Sequence, residues 1–267
     1  MHHTAPIDGF HYGWINPVLS YLVASTGAAL GLRCTVRALD LPPRRRLGWL
    51  LLGAAEIGCG IWTMHFLAML GFNVTGSTIL YNVPLTLFSL LLAIAVCGLG
   101  ILYVGYRPRG VTTLLIGGTV MGLGIAAMHY LGMAAMHVEG RVSYDSTVVA
   151  ASVAIAIAAS TTALWMTLNI TGLLASLASA GIAGVAVVAM HYTGMAAVSV
   201  VLDGRAPAGG LPASQFITPL AVAILVLLAL GGIALMLSPQ DTSLSGRPDT
   251  RPAPEAEPVR VPLFDRR

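Results

Sequence analysis

Residues 111–136 read VTTLLIGGTVMGLGIAAMHYLGMAAM. A hydrocarbon core about 30 Å thick is crossed by about 20 apolar residues in a helix, so this run reads as a membrane span. One residue breaks its character: His129, preceded by Met128 and followed four residues later by Met133. Working outward, the same apolar grain covers most of the chain. It has 267 residues, 56% of them hydrophobic and 9% charged, with a mean hydropathy of +0.82. Ordinary soluble domains carry about 25% charged residues, so a cytoplasmic enzyme is excluded. All 14 basic residues are arginine and form no basic face, so the net charge of +3 gives no reason to expect nucleic acid as a partner.

Seven spans are predicted: Asn16–Arg33, Leu47–Leu70, Val83–Val104, Val111–Met136, Thr147–Leu168, Leu173–Val201 and Phe216–Leu237. Pro17, Pro84 and Pro219 fall near span starts, where a missing amide hydrogen costs least. Residues 1–15 form the N-terminal segment, 16–237 the membrane domain and 238–267 a tail. The tail is rich in proline and charge and is expected to be disordered. Thirty residues are too few for a catalytic output domain, and the chain is read as no enzyme. No basic, apolar leader opens the chain, so the first span is expected to act as its own insertion signal. Arg33, Arg37, Arg44, Arg45, Arg46, Arg107, Arg109 and the tail arginines fall on one side, against Arg141 and Arg205 on the other. The positive-inside rule puts the N-terminus outside and the C-terminus in the cytoplasm. A multi-pass cell (inner or plasma) membrane protein is expected, with the bilayer as its first partner. Cys34, Cys59 and Cys97 lie in or beside apolar stretches and imply no disulfide framework.

The His129 motif recurs. Span 2 carries Met64-His65-Phe66-Leu67-Ala68-Met69, span 4 Met128-His129-Tyr130-Leu131-Gly132-Met133, and span 6 Met190-His191-Tyr192-Thr193-Gly194-Met195. The histidines are 64 and 62 residues apart, the length of a helical hairpin, and each is preceded at −7 by Gly58, Gly122 or Gly184 and at −5 by Gly60, Gly124 or Ala186. The fold class is therefore all-α: a polytopic membrane protein of seven transmembrane helices with three internal helical-hairpin repeats, the copies pointing the same way. The small residues permit close helix approach. Histidine and the later methionine share a helix face at i and i+4, so three imidazoles and up to six thioethers are brought to one depth near the outer boundary. Thioethers suit Cu(I) and imidazole suits Cu, Zn, Fe and Ni, which favours copper. Haem with such axial ligands is chemically possible but less favoured. The bland alternative is an interior histidine bonded to a neighbour, with methionine filling gaps.

Other polar residues are weighed against this set. Glu56 is nine residues before His65, on the opposite side of the helix and about 13 Å deeper, which fits a packing residue better than a ligand. His137 follows Met136 and reads equally as a cap on the site or metal receiver and as a solvated loop histidine; His11 flanks the same face, while His2 and His3 read as solvated. Trp14, Tyr81 and Tyr144 fit interfacial anchors. Cys59 lies off the His65 face and is not counted as a ligand.

The copy Met190-His191-Tyr192-Thr193 resembles the signature of the MHYT domain, a bacterial integral-membrane sensor module, and the resemblance covers about residues 10–237. The first two copies depart from it, reading Phe66-Leu67 and Tyr130-Leu131 after the histidine. The resemblance implies ligation of copper by His65, His129 and His191 with Met64, Met128, Met190, Met69, Met133 and Met195. It also implies detection of oxygen, carbon monoxide or nitric oxide. Many members carry a cyclic-di-GMP or kinase output domain, so here a signal is expected to leave through a cytoplasmic signalling partner or the tail. The functional expectation is a membrane sensor with an outer-side Met/His metal site that detects a diatomic gas or redox state. The alternative is a metal-ion or proton transporter using the cluster as its entry site, with Glu56 as a relay. A membrane oxidoreductase with haem or copper is the third reading.

Overall fold

The computed structural model describes residues 5–9, 11–170, 172–204 and 209–238. His2, His3, Arg205 and the tail beyond 238 lie outside the described residues. Among the described residues seven long helices form: α1 (Ile15–Leu39), α2 (Pro43–Leu70), α3 (Val83–Tyr106), α4 (Val111–Ala134), α5 (Ser146–Asn169), α6 (Leu173–Ala196) and α7 (Ala213–Leu237). Each is long and apolar enough to cross a membrane. At 1.5 Å per residue their 24 to 28 residues extend about 36–42 Å. Large side chains such as Leu91, Leu99 and Leu227 are exposed on the outer faces, as suits helices that face lipid.

Short strands join the helices into a repeating unit that the sequence reading lacks. β1 (Ile7–Asp8) pairs with β2 (Asn73–Val74), β3 (Leu80–Tyr81) with β4 (Met136–His137), and β5 (Gly140–Tyr144) with β6 (Val198–Leu202), all antiparallel. Each pair joins the start of an odd helix to the end of the next even helix. The chain is thus three β-α-α-β units followed by α7. Asn82 and Asp145 supply side-chain caps where strands turn into helices: Asn82 Oδ1 accepts from Leu85 N at 3.0 Å, and Asp145 Oδ1 accepts from Thr147 N at 2.8 Å.

Neighbouring helices α1 to α6 pack side by side, and α6 packs back against α1, closing a ring. The small residues explain the closure. A Cβ on Gly58 would meet the backbone of Ile94 on α3 at 2.7 Å, one on Gly122 the backbone of Ile157 on α5, and one on Gly184 would strike Ser25 on α1. The −7 positions therefore seat each even helix on the next odd one around the ring. The −5 glycines seat it on the previous one: Gly60 lies against Gly27 of α1 and Gly124 against Val96 of α3. α7 lies against α1 and α2, with Gly231 beside the Glu56 carboxylate and Gly232 near Leu30.

Several sequence boundaries shift. α1 runs six residues past Arg33 to Leu39, because the first helix breaker is Pro42; Arg37 there lies 5.0 Å from the Trp49 ring. α2 starts at Pro43, proline in the first turn. α6 stops at Ala196, since the valine-rich run after it is strand β6; an apolar β-branched stretch extends a predicted span and forms a strand equally well. α7 begins at Ala213, which leaves Pro219 inside the helix and the Gln215 carbonyl without its usual donor. Tyr81, expected as an interfacial anchor, is only 1% exposed. Its backbone bridges to Leu211 in both directions, at 2.9 and 3.0 Å.

Candidate metal centre

The repeat brings one histidine from each of α2, α4 and α6 to a common point, five residues before the end of its helix. His65, His129 and His191 are each 1% exposed. Their Nδ1 atoms form a triangle with sides of 3.0 Å (His65–His191), 3.1 Å (His65–His129) and 3.3 Å (His129–His191). The rings stand nearly perpendicular to one another, with centroids 4.9 to 5.0 Å apart. Among the described residues, this is the one group of three or more histidine, cysteine or carboxylate side chains close enough to share an ion.

The triangle cannot be satisfied by hydrogen bonds alone. Each Nδ1 carries either a proton or a lone pair, so at least two of the three are alike and face each other. A single cation facing three lone pairs removes that conflict. The size fits as well: three imidazoles on a four-coordinate ion, with metal–nitrogen bonds of about 2.0 Å, place their nitrogens about 3.3 Å apart. His65 Nε2 and His129 Nε2 are buried without a hydrogen-bond partner, so Nδ1 is the nitrogen the fold aims at company.

The glycine three residues after the histidine locks these rings. A Cβ on Gly132 of α4 would strike His65 Nε2, and one on Gly194 of α6 would lie 2.5 Å from His129 Nε2. The His65 and His129 rings thus lean across onto the next motif helix, two blades of a pinwheel; the equivalent position on α2 is Ala68. Sequence reasoning missed this role, although glycine stands there in two of the three copies. The aromatic after each histidine props its ring edge-on: Phe66 at 4.6 Å, Tyr130 at 4.8 Å and Tyr192 at 5.0 Å between centroids. Tyr130 and Ser152 of α5 are joined by a 2.6 Å hydrogen bond between their hydroxyls.

Of the candidate residues, the three histidines come together. Met64, Met128, Met190, Met69 and Met133 are buried in the hydrophobic core, and Met195 packs half-buried against it. His137 joins β4 and its Nδ1 is 2.7 Å from the Gly209 carbonyl; His11 lies 3.8 Å from Asp8. Neither reaches the triangle. Glu56 is 4% exposed and faces α7 at Gly231, on the side of α2 expected for a residue half a turn away from His65. Outside the spans, burial raises the Tyr81 phenol above its ordinary pKa, and burial with the neighbouring Tyr130 raises that of Tyr144.

Fold and site together define a multi-pass helical membrane protein with a buried tri-histidine centre built from an internal repeat. Three consecutive matches to the MHYT family, "Bacterial signalling protein N terminal repeat", cover residues 58–117, 122–180 and 184–246. The chain belongs to that family. It is 36% identical over 242 residues, 88% of this chain, to the bifunctional diguanylate cyclase/cyclic di-GMP phosphodiesterase MucR of Pseudomonas aeruginosa, of which the match covers 35%. The cyclic di-GMP phosphodiesterase NbdA of the same organism is 37% identical over 76% of this chain and 27% of its own length. The signaling protein YkoW of Bacillus subtilis is 26% identical over 74% of this chain and 25% of its own. The chain therefore spans about a third or less of these curated relatives. No solved structure matches it.

Proposed function

We propose that this chain is a membrane sensor whose His65, His129 and His191 hold a copper ion and report a diatomic gas or the redox state. The Nδ1 triangle carries this reading: three buried imidazole nitrogens within 3.3 Å of one another are a donor set that needs a cation. With three imidazole ligands, bound copper supplies an open position for a small diatomic and a one-electron couple. Met64, Met128, Met190, Met69, Met133 and Met195 would offer soft thioether ligands from the same three helices.

The chain's own residues do the rest. Each histidine belongs to a different helix, so a change in the spacing of the three nitrogens that ring rotation does not absorb is a change in the relative position of α2, α4 and α6. A ligand shifts that arrangement only by binding one packing better than another. The rings themselves are buried away from water, each 1% exposed. In the proposed orientation the strands face outward and the arginine-rich loops face the cytoplasm, where the change passes to a signalling partner. MucR and NbdA are named as cyclic di-GMP enzymes, and the part they share with this chain would supply their sensory input. The chain itself is read as a receptor, not an enzyme. Transport is the weaker alternative, because Glu56 faces α7 and not the histidines.

Metal analysis and optical spectra of the purified protein, beside His65→Ala, His129→Ala and His191→Ala, test the reading. Stoichiometric copper in the parent and its loss in each variant is the expected result. Metal-free protein after reducing, copper-replete purification would sink it, and a Soret band would replace copper by haem.

A further inference from the structure

A cavity of about 30 Å³ opens between the helices on the side of the histidines away from the strands. Its lining follows the repeat. Ile61, Ile125 and Val187 stand four residues before His65, His129 and His191, and Ile57, Met121 and Ala183 stand eight before. All three motif helices thus contribute side chains one and two turns from the triangle, and Ala24 of α1 and Ser160 of α5 complete the wall. The space suffices for one water, which needs about 10–15 Å³, but a buried water also needs two to four polar partners. Here Ser160 is the single polar side chain in the wall. It is 3% exposed and its Oγ has no hydrogen-bond partner. Thr35, Thr167 and Ser179, by contrast, each donate to the carbonyl four residues back at 2.8 Å.

We propose that this cavity is a binding site for one apolar diatomic molecule, of the class of dioxygen, distinct from the histidine nitrogens. One hydroxyl is too little to hold water and leaves the rest of the wall apolar, as suits an apolar diatomic. Ala28, Ala159 and Ala163 in the same wall are partly exposed, so the side toward the bilayer is made of methyl groups, and an apolar solute concentrates in lipid rather than water. That the occupant is the sensor's own ligand rests on the proposed function; the preference for a small apolar molecule does not.

Xenon is the probe, with the full chain in lipid nanodiscs and isotope-labelled isoleucine and methionine methyl groups observed by NMR. The Ile57, Ile61, Ile125 and Met121 methyls should shift along one saturating curve with xenon pressure. Those of Ile182 and Ile233, which are 56% and 53% exposed, should drift linearly as xenon dissolves in lipid. Ala183→Val and Ala24→Val each add two carbons to the cavity from different helices and should abolish the saturating part while the amide spectrum stays folded. Dioxygen should broaden the same methyls in the parent and not in these variants. A purely linear xenon response in the parent, or saturation that survives both filled variants, overturns the proposal. Copper-free protein separates the two readings: xenon saturation without copper binding overturns only the metal, and copper binding without saturation overturns only the cavity.

Discussion

Replacing Gly194 by alanine puts a methyl group 2.5 Å from His129 Nε2, 3.1 Å from its Cδ2 and 3.3 Å from its Cε1. Uncharged heavy atoms rest at about 3.5 Å, so the ring must retreat by about 1 Å. It cannot slide along its own length, because Nδ1 at the far end already stands 3.1 Å from His65 and 3.3 Å from His191. What is left is rotation of the side chain or separation of α4 from α6, and either swings Nδ1 out of the triangle. Metal–ligand distances tolerate about 0.2 Å, so the variant should lose about 10- to 100-fold in copper affinity, the range for lost outer-shell support. The overpacking should also destabilise the fold by about 1–3 kcal/mol. A competition titration against a Cu(I) chelator reads the first and thermal unfolding the second. Gly48→Ala is the control: a Cβ there meets nothing within 4 Å, and alanine should raise helix stability by at most about 1 kcal/mol. In a His129→Ala background the penalty of Gly194→Ala should vanish, a coupling measurable with or without metal. If Gly194→Ala behaves like Gly48→Ala in both assays, the pinwheel packing is refuted.

Gly231→Ala sets a methyl group onto Glu56 Oε1 and should cost about 1–3 kcal/mol; Glu56→Ala in the same chain should recover most of it in a double-mutant cycle, and additive losses would refute the α2–α7 contact. Gly122→Ala should be harder to accommodate, since its Cβ meets the Ile157 backbone at 2.5 and 2.7 Å, which cannot rotate aside; a lowered melting temperature with α4–α5 crosslinking shifted outward checks it. The raised phenol pKa of Tyr81 gives a signed pH effect. Above about pH 10 the unfolded tyrosine ionises while the folded one does not, so stability is full below that pH and falls as pH rises. Tyr81→Phe should flatten the alkaline limb of the stability profile. Trp62→Phe removes the 2.9 Å bond from the indole N–H to Ser89 Oγ and should cost about 1 kcal/mol for that bond with a further cavity penalty at this fully buried side chain, read by thermal unfolding.

The legible and illegible parts of the sequence divide along physical lines. Helix existence follows from apolar length, and the bilayer leaves few alternatives, so all seven spans could be placed. The convergence of His65, His129 and His191 also follows from sequence, because repeats of nearly equal length pointing one way bring like positions to like depths. The strands escaped notice because they are two to five residues long and, at Val198–Leu202, composed of residues that prolong an apolar run. Ring direction escaped too. Nothing in the string Met-His-Tyr says that Nδ1 faces inward, and without that direction Gly132 and Gly194 look like two more small residues in a glycine-rich helix. Residue type alone argues for the six methionines as further ligands, and the structure gives five of them a place in the hydrophobic core.

The β-α-α-β unit bears on why the site can report anything. One unit alone holds one histidine, one −7 glycine with no helix to receive it and one cavity wall with no opposite side. The ring closes only when Gly184 of the third unit meets Ser25 of the first, whose α1 fills the gap between α6 and α2. The histidine triangle and the apolar cavity beneath it are therefore properties of closure, with no counterpart in any single repeat. A ligand that changes either must act on contacts between units. At Gly58 and Gly122 those contacts are glycine to backbone, where a shift of a few tenths of an ångström is resisted, so a change at the triangle that ring rotation does not take up is passed on to whole helices.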